Sequence, residues 1–166
     1  MPEPRVAIIM GSANDLPRVQ GAVDTLRSFD EPCEVRFLSA HRTPHETGDY
    51  FSSARKRGIK VIICAAGGAA HLAGVAAAHT TLPVLGIPLD SSPIGGLDAL
   101  MSTVQMPPGI PVATMAVGSW GATNAALFAL SILALQDESL TEKLSSYREK
   151  IDRKSTRLNS SHVSQS

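Results

Sequence analysis

A three-layer αβα sandwich around a parallel, five-stranded sheet is the fold class the sequence predicts. Two observations carry it. Short β-branched runs alternate with longer helical stretches, and the runs are nearly uninterrupted apolar segments, each followed by a cluster of Gly, Pro, Ser or Asn. Strands are expected at Val6–Met10, Val35–Ser39, Val61–Ala66, Val84–Ile87 and Val112–Val117. Helices are expected at Leu16–Arg27, Pro44–Arg57, Ala69–Ala78, Leu97–Val104, Ala122–Gln136 and Leu140–Ile151, with Asp15 and Thr43 as N-caps and Gly58 as a stop. Right-handed crossovers then gather the loops that follow the strands at one edge of the sheet, where open α/β folds bind ligands.

The length of 166 residues suits one αβ domain, residues 1–152. Lysine plus arginine equal aspartate plus glutamate at 15 each, so no electrostatic footprint for nucleic acid or an anionic membrane is present and a small-molecule partner is favoured. Apolar runs are strand-length, below the roughly 20 residues of a membrane span, and the first residues lack the features of a secretory signal. A cytoplasmic protein is expected, with Cys33 and Cys64 as structural free thiols. The stretch from Ala122 to Leu135 is apolar almost all round, which calls for burial on more than one side and hence for a homo-oligomer. After Ile151 the periodicity stops. Residues 153–166, His162 included, read as a non-native, disordered tail resembling a translated vector or adapter sequence.

Three loops carry candidate chemistry. Gly11-Ser12-Ala13-Asn14-Asp15 follows the first strand and enters a helix, which suits a phosphate on backbone N–H groups; Ser12, Asn14 and Asp15 serve equally well as capping residues. No G-x-G-x-x-G or Walker spacing occurs. Ser39-Ala40-His41-Arg42-Thr43-Pro44 sets an imidazole beside a guanidinium, a pair suited to acid–base work on a phosphorylated substrate. A metal pair of His41 with His45 is rejected, because Pro44 marks the helix start and no carboxylate or cysteine set completes a ligand shell. Gly67-Gly68-Ala69-Ala70-His71 lets backbone approach a small flat ligand; His71 either contacts that ligand or orients the loop. His79 reads as a structural histidine at a helix end. The segments 88–98 and 105–111 are rich in turn formers, and spacing assigns no individual role within them.

With Met10-Gly11-Ser12 and Asp15, Ser39-Ala40-His41-Arg42-Thr43-Pro44, Gly67-Gly68-Ala69-Ala70-His71-Leu72, Val104-Gln105-Met106-Pro107, Gly109 to Thr114 and Asn124-Ala125-Ala126-Leu127 in order, the chain resembles the N5-carboxyaminoimidazole ribonucleotide mutase family from about Val6 to Ile151. That resemblance implies a flavodoxin-like protein without cofactor or metal, assembled as an octamer, acting in purine (IMP) biosynthesis beside a separate carbamate-forming synthetase. It implies that Ser12 and Asp15 hold the ribose phosphate end, with Asn14 beside them, that Arg42 binds the phosphate, and that His41 shuttles the proton. Ser39, Ala40, Gly67, Gly68, Ala69 and His71 would complete the substrate site, with the Gly67-to-His71 loop around the imidazole and the migrating carboxylate. Asn14 stands where the family commonly has serine, Ala73 where it has proline, and Gly95 where it has serine. The implied reaction converts the N-carboxylate to the 4-carboxylate by decarboxylation and recarboxylation within the site. The alternatives are a direct aminoimidazole ribonucleotide carboxylase and a non-catalytic flavodoxin-like nucleotide-binding module.

Overall fold

The computed structural model describes the backbone of residues 3–163 and the side chains of residues 3–158. Its central sheet has five parallel strands, β1 (Val6–Met10), β2 (Cys33–Phe37), β3 (Val61–Ala66), β4 (Val84–Pro88) and β5 (Ala113–Thr114), in the order β2-β1-β3-β4-β5. That is the doubly wound, flavodoxin-like order. Composition explains the order. β1 and β4 are buried along their whole lengths and β3 along all but its last residue, whereas Cys-Glu-Val-Arg-Phe of β2 exposes Arg36 and Phe37 at the sheet edge. Alternate residues of β1 face opposite ways: Ala7 and Ile9 join Phe51, Ile62, Cys64, Leu72 and Ala76 in one core layer, while Ile8 and Met10 point to the other side. Register sets Met10 level with Phe37 and Ala65, so the loops after β1, β2 and β3 open side by side.

The helices are α1 (Leu16–Ser28), α2 (Pro44–Ser53), α3 (Leu72–His79), α4 (Leu97–Val104), α5 (Ser119–Ala134) and α6 (Glu138–Val163). Several boundaries differ from the sequence expectation for local reasons. β2 begins and ends two residues early, because the loop after it is already claimed by hydrogen bonds to Ser39. α3 starts at Leu72 rather than Ala69, because Gly68 (φ 61°) and Ala70 (φ 46°) are left-handed and cannot lie in a helix. β5 shrinks to two residues, although Met115 N–H still donates to the Gly86 carbonyl at 2.8 Å and Gly118 N–H to that of Pro88 at 2.8 Å. Residues 54–57 tighten into a 3-10 turn before Gly58 (φ 89°), the expected stop. Neither Asp15 nor Thr43 caps its helix through a side chain: a 3-10 turn over Ala13–Asp15 intervenes before α1, with Ser12 as its cap, and the Thr43 hydroxyl is turned back onto Ser39.

The chain forms two compact units, residues 1–129 and 130–166. In the first, α1 lies against α5, where a β-carbon on Gly21 would sit 3.1 Å from Thr123 Oγ1. α5 buries Ala122, Ala125, Ala126 and Ala129 yet leaves Trp120 and Phe128 open, and α4 exposes Leu97, Met101 and Val104 along one face. In the second, Asp137 Oδ1 accepts from Ser139 Oγ at 2.8 Å and from Leu140 N–H at 3.4 Å, which moves the start of α6 ahead of the expected Leu140. α6 also runs past the expected end at Ile151 to Val163, since no Gly or Pro interrupts it and each added residue contributes another backbone bond. The side chains from Ile151 to Leu158 are exposed, and 164–166, the end of the expected tail, lie outside the described residues. No helix among the described residues is long and apolar enough to cross a membrane.

Candidate active site

A cavity of about 350 Å3 opens where the loops after β1, β2 and β3 meet. This is the position at which the strand order reverses, between β1 and β3, and open α/β sheets hold ligands there. Its wall contains Ser12, Asp15, Ser39, Ala40, His41, Arg42, Gly67, Ala69 and His71, nine of the eleven residues expected from sequence. Asn14 and Gly68 stand outside the wall. Asn14 is exposed and its backbone N–H donates to Ser12 Oγ at 3.2 Å; Gly68 provides the left-handed turn that returns the chain toward His71.

The two histidines meet. His41 Nε2 and His71 Nδ1 are 2.6 Å apart with the rings edge to face, their centroids 4.8 Å apart at 89°. One of these nitrogens donates and the other accepts, as the tautomers dictate, and His41 Nδ1 and His71 Nε2 remain for other partners. His41 is held there by a loop whose polar groups are spent locally. The Ser39 carbonyl accepts from Thr43 N–H at 3.0 Å and from the hydroxyls of Thr43 and Thr47 at 3.1 Å each, while Ser39 Oγ accepts from Arg42 N–H at 3.1 Å. Ser39 therefore shapes the loop with its hydroxyl. The Arg42 side chain, exposed beside it, has no ion pair among the described residues and is available to an anion. Across the cavity, burial pushes the Asp15 carboxyl above its ordinary range, opposed by the neighbouring Arg18 guanidinium.

The family model for AIR carboxylase matches residues 5–154. The chain belongs to the AIR carboxylase family. It is 54% identical over 150 residues to a protein of Pyrococcus abyssi named N5-carboxyaminoimidazole ribonucleotide mutase, covering 90% of this chain and 85% of that one. It is 52% identical over 147 residues to the protein of the same name from Bacillus subtilis, covering 89% and 91%. The crystal structure of Treponema denticola PurE superposes with a TM-score of 0.86 at 27% identity, over 95% of this chain and 97% of that one.

In this AIR carboxylase family member the cavity has a further wall that spacing did not reveal. Ser91, on the loop after β4, lines it, and a β-carbon on Gly67 would collide with Ser91 Oγ. Gly67 is thus needed for packing against Ser91. Only the turn-former richness of 88–98 hinted at this loop, and it singled out no residue. His45, on the outer surface of α2, is not in the cavity wall. His79 is structural as expected: Nδ1 lies 2.8 Å from the Val75 carbonyl oxygen, and the ring covers Gly48.

Proposed function

We propose that the chain is an N5-carboxyaminoimidazole ribonucleotide mutase of purine biosynthesis. The observation that carries the reading is that a proton-exchanging imidazole, an uncommitted guanidinium and a small-residue wall surround one cavity in a chain more than half identical to proteins of that name. The cavity volume lies within the range of small-molecule sites. Arg42, with the Ser12–Asp15 turn, binds the ribose phosphate; Asn14 contributes from the rim. Gly67 and Ala69 lie against the imidazole of the substrate, with Gly68 turning the loop that carries them, and Ala40 and Ser39 form the wall below His41. The exposed apolar residues of α4 and α5 support a homo-oligomer, and we assign the octamer.

In the first half-reaction the carbamate C–N bond breaks, carbon dioxide leaves, and the electron pair stays on the exocyclic nitrogen, which takes a proton from His41. In the second, the electron-rich C4 of the ring attacks carbon dioxide, and the C4 proton returns to His41 as the ring regains aromaticity. His41 ends as it began, and His71 steadies its ring through the 2.6 Å contact. The balanced steps involve no redox change and no phosphoryl transfer, so we assign no cofactor. The N-carboxylate must come from a separate carbamate-forming synthetase, and we place the reaction in the cytoplasm.

The reading is tested with unlabelled N-carboxy substrate in labelled bicarbonate and carbonic anhydrase. A cavity that keeps carbon dioxide beside C4 gives product with little label at early times. Rapid labelling toward the buffer composition, or efficient product formation from the uncarboxylated ribonucleotide at low bicarbonate, would establish a direct carboxylase instead. Light scattering of the purified protein checks the octamer.

A further inference from the structure

Ser91 occupies a position that the mechanism leaves unused. It is exposed in the cavity wall, and its hydroxyl makes no hydrogen bond among the described residues. The loop that carries it is fixed at one end. Leu89 N–H donates to the Ala66 carbonyl at 2.9 Å, and the next residue, Asp90, accepts from Arg18 Nε at 3.1 Å, a pair 72 residues apart that ties α1 to the loop after β4. Beyond Ser91 the loop turns through two left-handed glycines, Gly95 (φ 67°) and Gly96 (φ 87°), and Ser92 Oγ donates to Asp98 at 2.9 Å.

We propose that Ser91 is a substrate-contact residue, donating its hydroxyl hydrogen bond to the carboxylate that leaves nitrogen and forms on C4, and that the Arg18–Asp90 pair positions it. The proposal rests on the mutase reading. Ser91 Oγ lies against Gly67, whose loop is assigned to that carboxylate and whose one polar side chain, that of His71, already has Nδ1 engaged with His41. A neutral donor suits a group that must both depart and return, because a cation would hold the starting carbamate too firmly. Asp90, one residue away, would repel the carboxylate if unpaired; the Arg18 guanidinium neutralises it.

The wild-type chain is assayed first with the N-carboxy substrate; failure to form the 4-carboxy product overturns the mutase reading, and this proposal with it. With an active wild type, Ser91→Ala should lower kcat/KM roughly 10- to 100-fold, as loss of a bond to a charged group does, and send more turnovers to free aminoimidazole ribonucleotide and carbon dioxide. Ser91→Cys, which keeps shape and a weaker donor, should fall between. Arg18→Met should reproduce part of the loss in kcat more than in KM, and should add nothing in the Ser91→Ala background, since coupled residues are not additive. Wild-type kcat/KM and product partition in a folded Ser91→Ala or Ser91→Cys variant would overturn the substrate contact. Full additivity of Arg18→Met with Ser91→Ala, or an effect on KM alone, would overturn the positioning role and assign Arg18 to the phosphate end.

Discussion

His41 and Arg42 are neighbours in sequence for which we propose separate tasks, because the loop after β2 sends one side chain to His71 and leaves the other uncommitted. His41→Asn should keep the fold and lower turnover by at least ~100-fold, the usual contribution of a positioned acid–base group; stopped assays of the folded variant check it. Arg42→Lys should raise KM with a smaller effect on kcat, because a point-like ammonium lacks the bidentate fork of guanidinium; steady-state kinetics separate the two. At this scale the first three loops were legible, since they pair residue types with distinct chemistry and follow apolar runs. Ser91 was not. A serine among turn formers carries no spacing signal, and only the approach of its Oγ to Gly67 marks it. The same holds for the His41–His71 contact, made between residues 30 apart in the chain.

Among the elements, the edge strand β2 is secured by a polar cluster in place of apolar burial. Tyr50 Oη donates to Glu34 Oε1 at 2.5 Å, Arg57 Nη1 donates to the same oxygen at 2.9 Å, and the guanidinium lies 4.3 Å from the Tyr50 ring centre. Burial pushes the Tyr50 hydroxyl up to about 12, so it remains a donor at neutral pH. Burial also pushes Glu34 upward, but the bonds from Tyr50 and Arg57 and the charges of Arg57 and Arg36 outweigh it and hold the carboxyl below its usual 4.5. A carboxyl with a depressed value adds stability above its usual range, and that stability is lost as pH falls through the depressed value. Glu34→Gln should therefore be less stable than wild type at neutral pH, with the difference closing as pH falls below the usual carboxylate range and through the depressed value; denaturant midpoints from neutral to acid pH measure it. The strand was expected from its short β-branched, largely apolar run. Its edge position depends on pairing with β1 alone, which no local pattern encodes.

For the whole molecule, the family match ends at residue 154 and the side chains from Ile151 to Leu158 are exposed on α6. We propose that residues 153–166 are dispensable, whether or not they are native. Deleting 153–166 should leave activity and thermal midpoint essentially unchanged, because the side chains of its described part, residues 153–158, are exposed and their removal gives up little buried surface; a parallel thermal melt and turnover assay checks both. The apolar faces of α4 and α5 bear on assembly in the same way as the expectation of burial on more than one side. Trp120 and Phe128 are open in the single chain, so covering them falls to another copy under the proposed octamer.

By itself the sequence determined the layer architecture, the alternation of strand and helix, and three loops with their candidate residues. Apolar period, turn formers and paired functional groups are local signals, and they survive reading along the chain. Tertiary structure decided the strand order, the edge position of β2, the left-handed turn at Ala70 that delays α3, the pairing of Arg18 with Asp90, and the place of Ser91 in the cavity wall. Those features come from pairings between residues tens of positions apart, whose energies exist only once the sheet has brought them together.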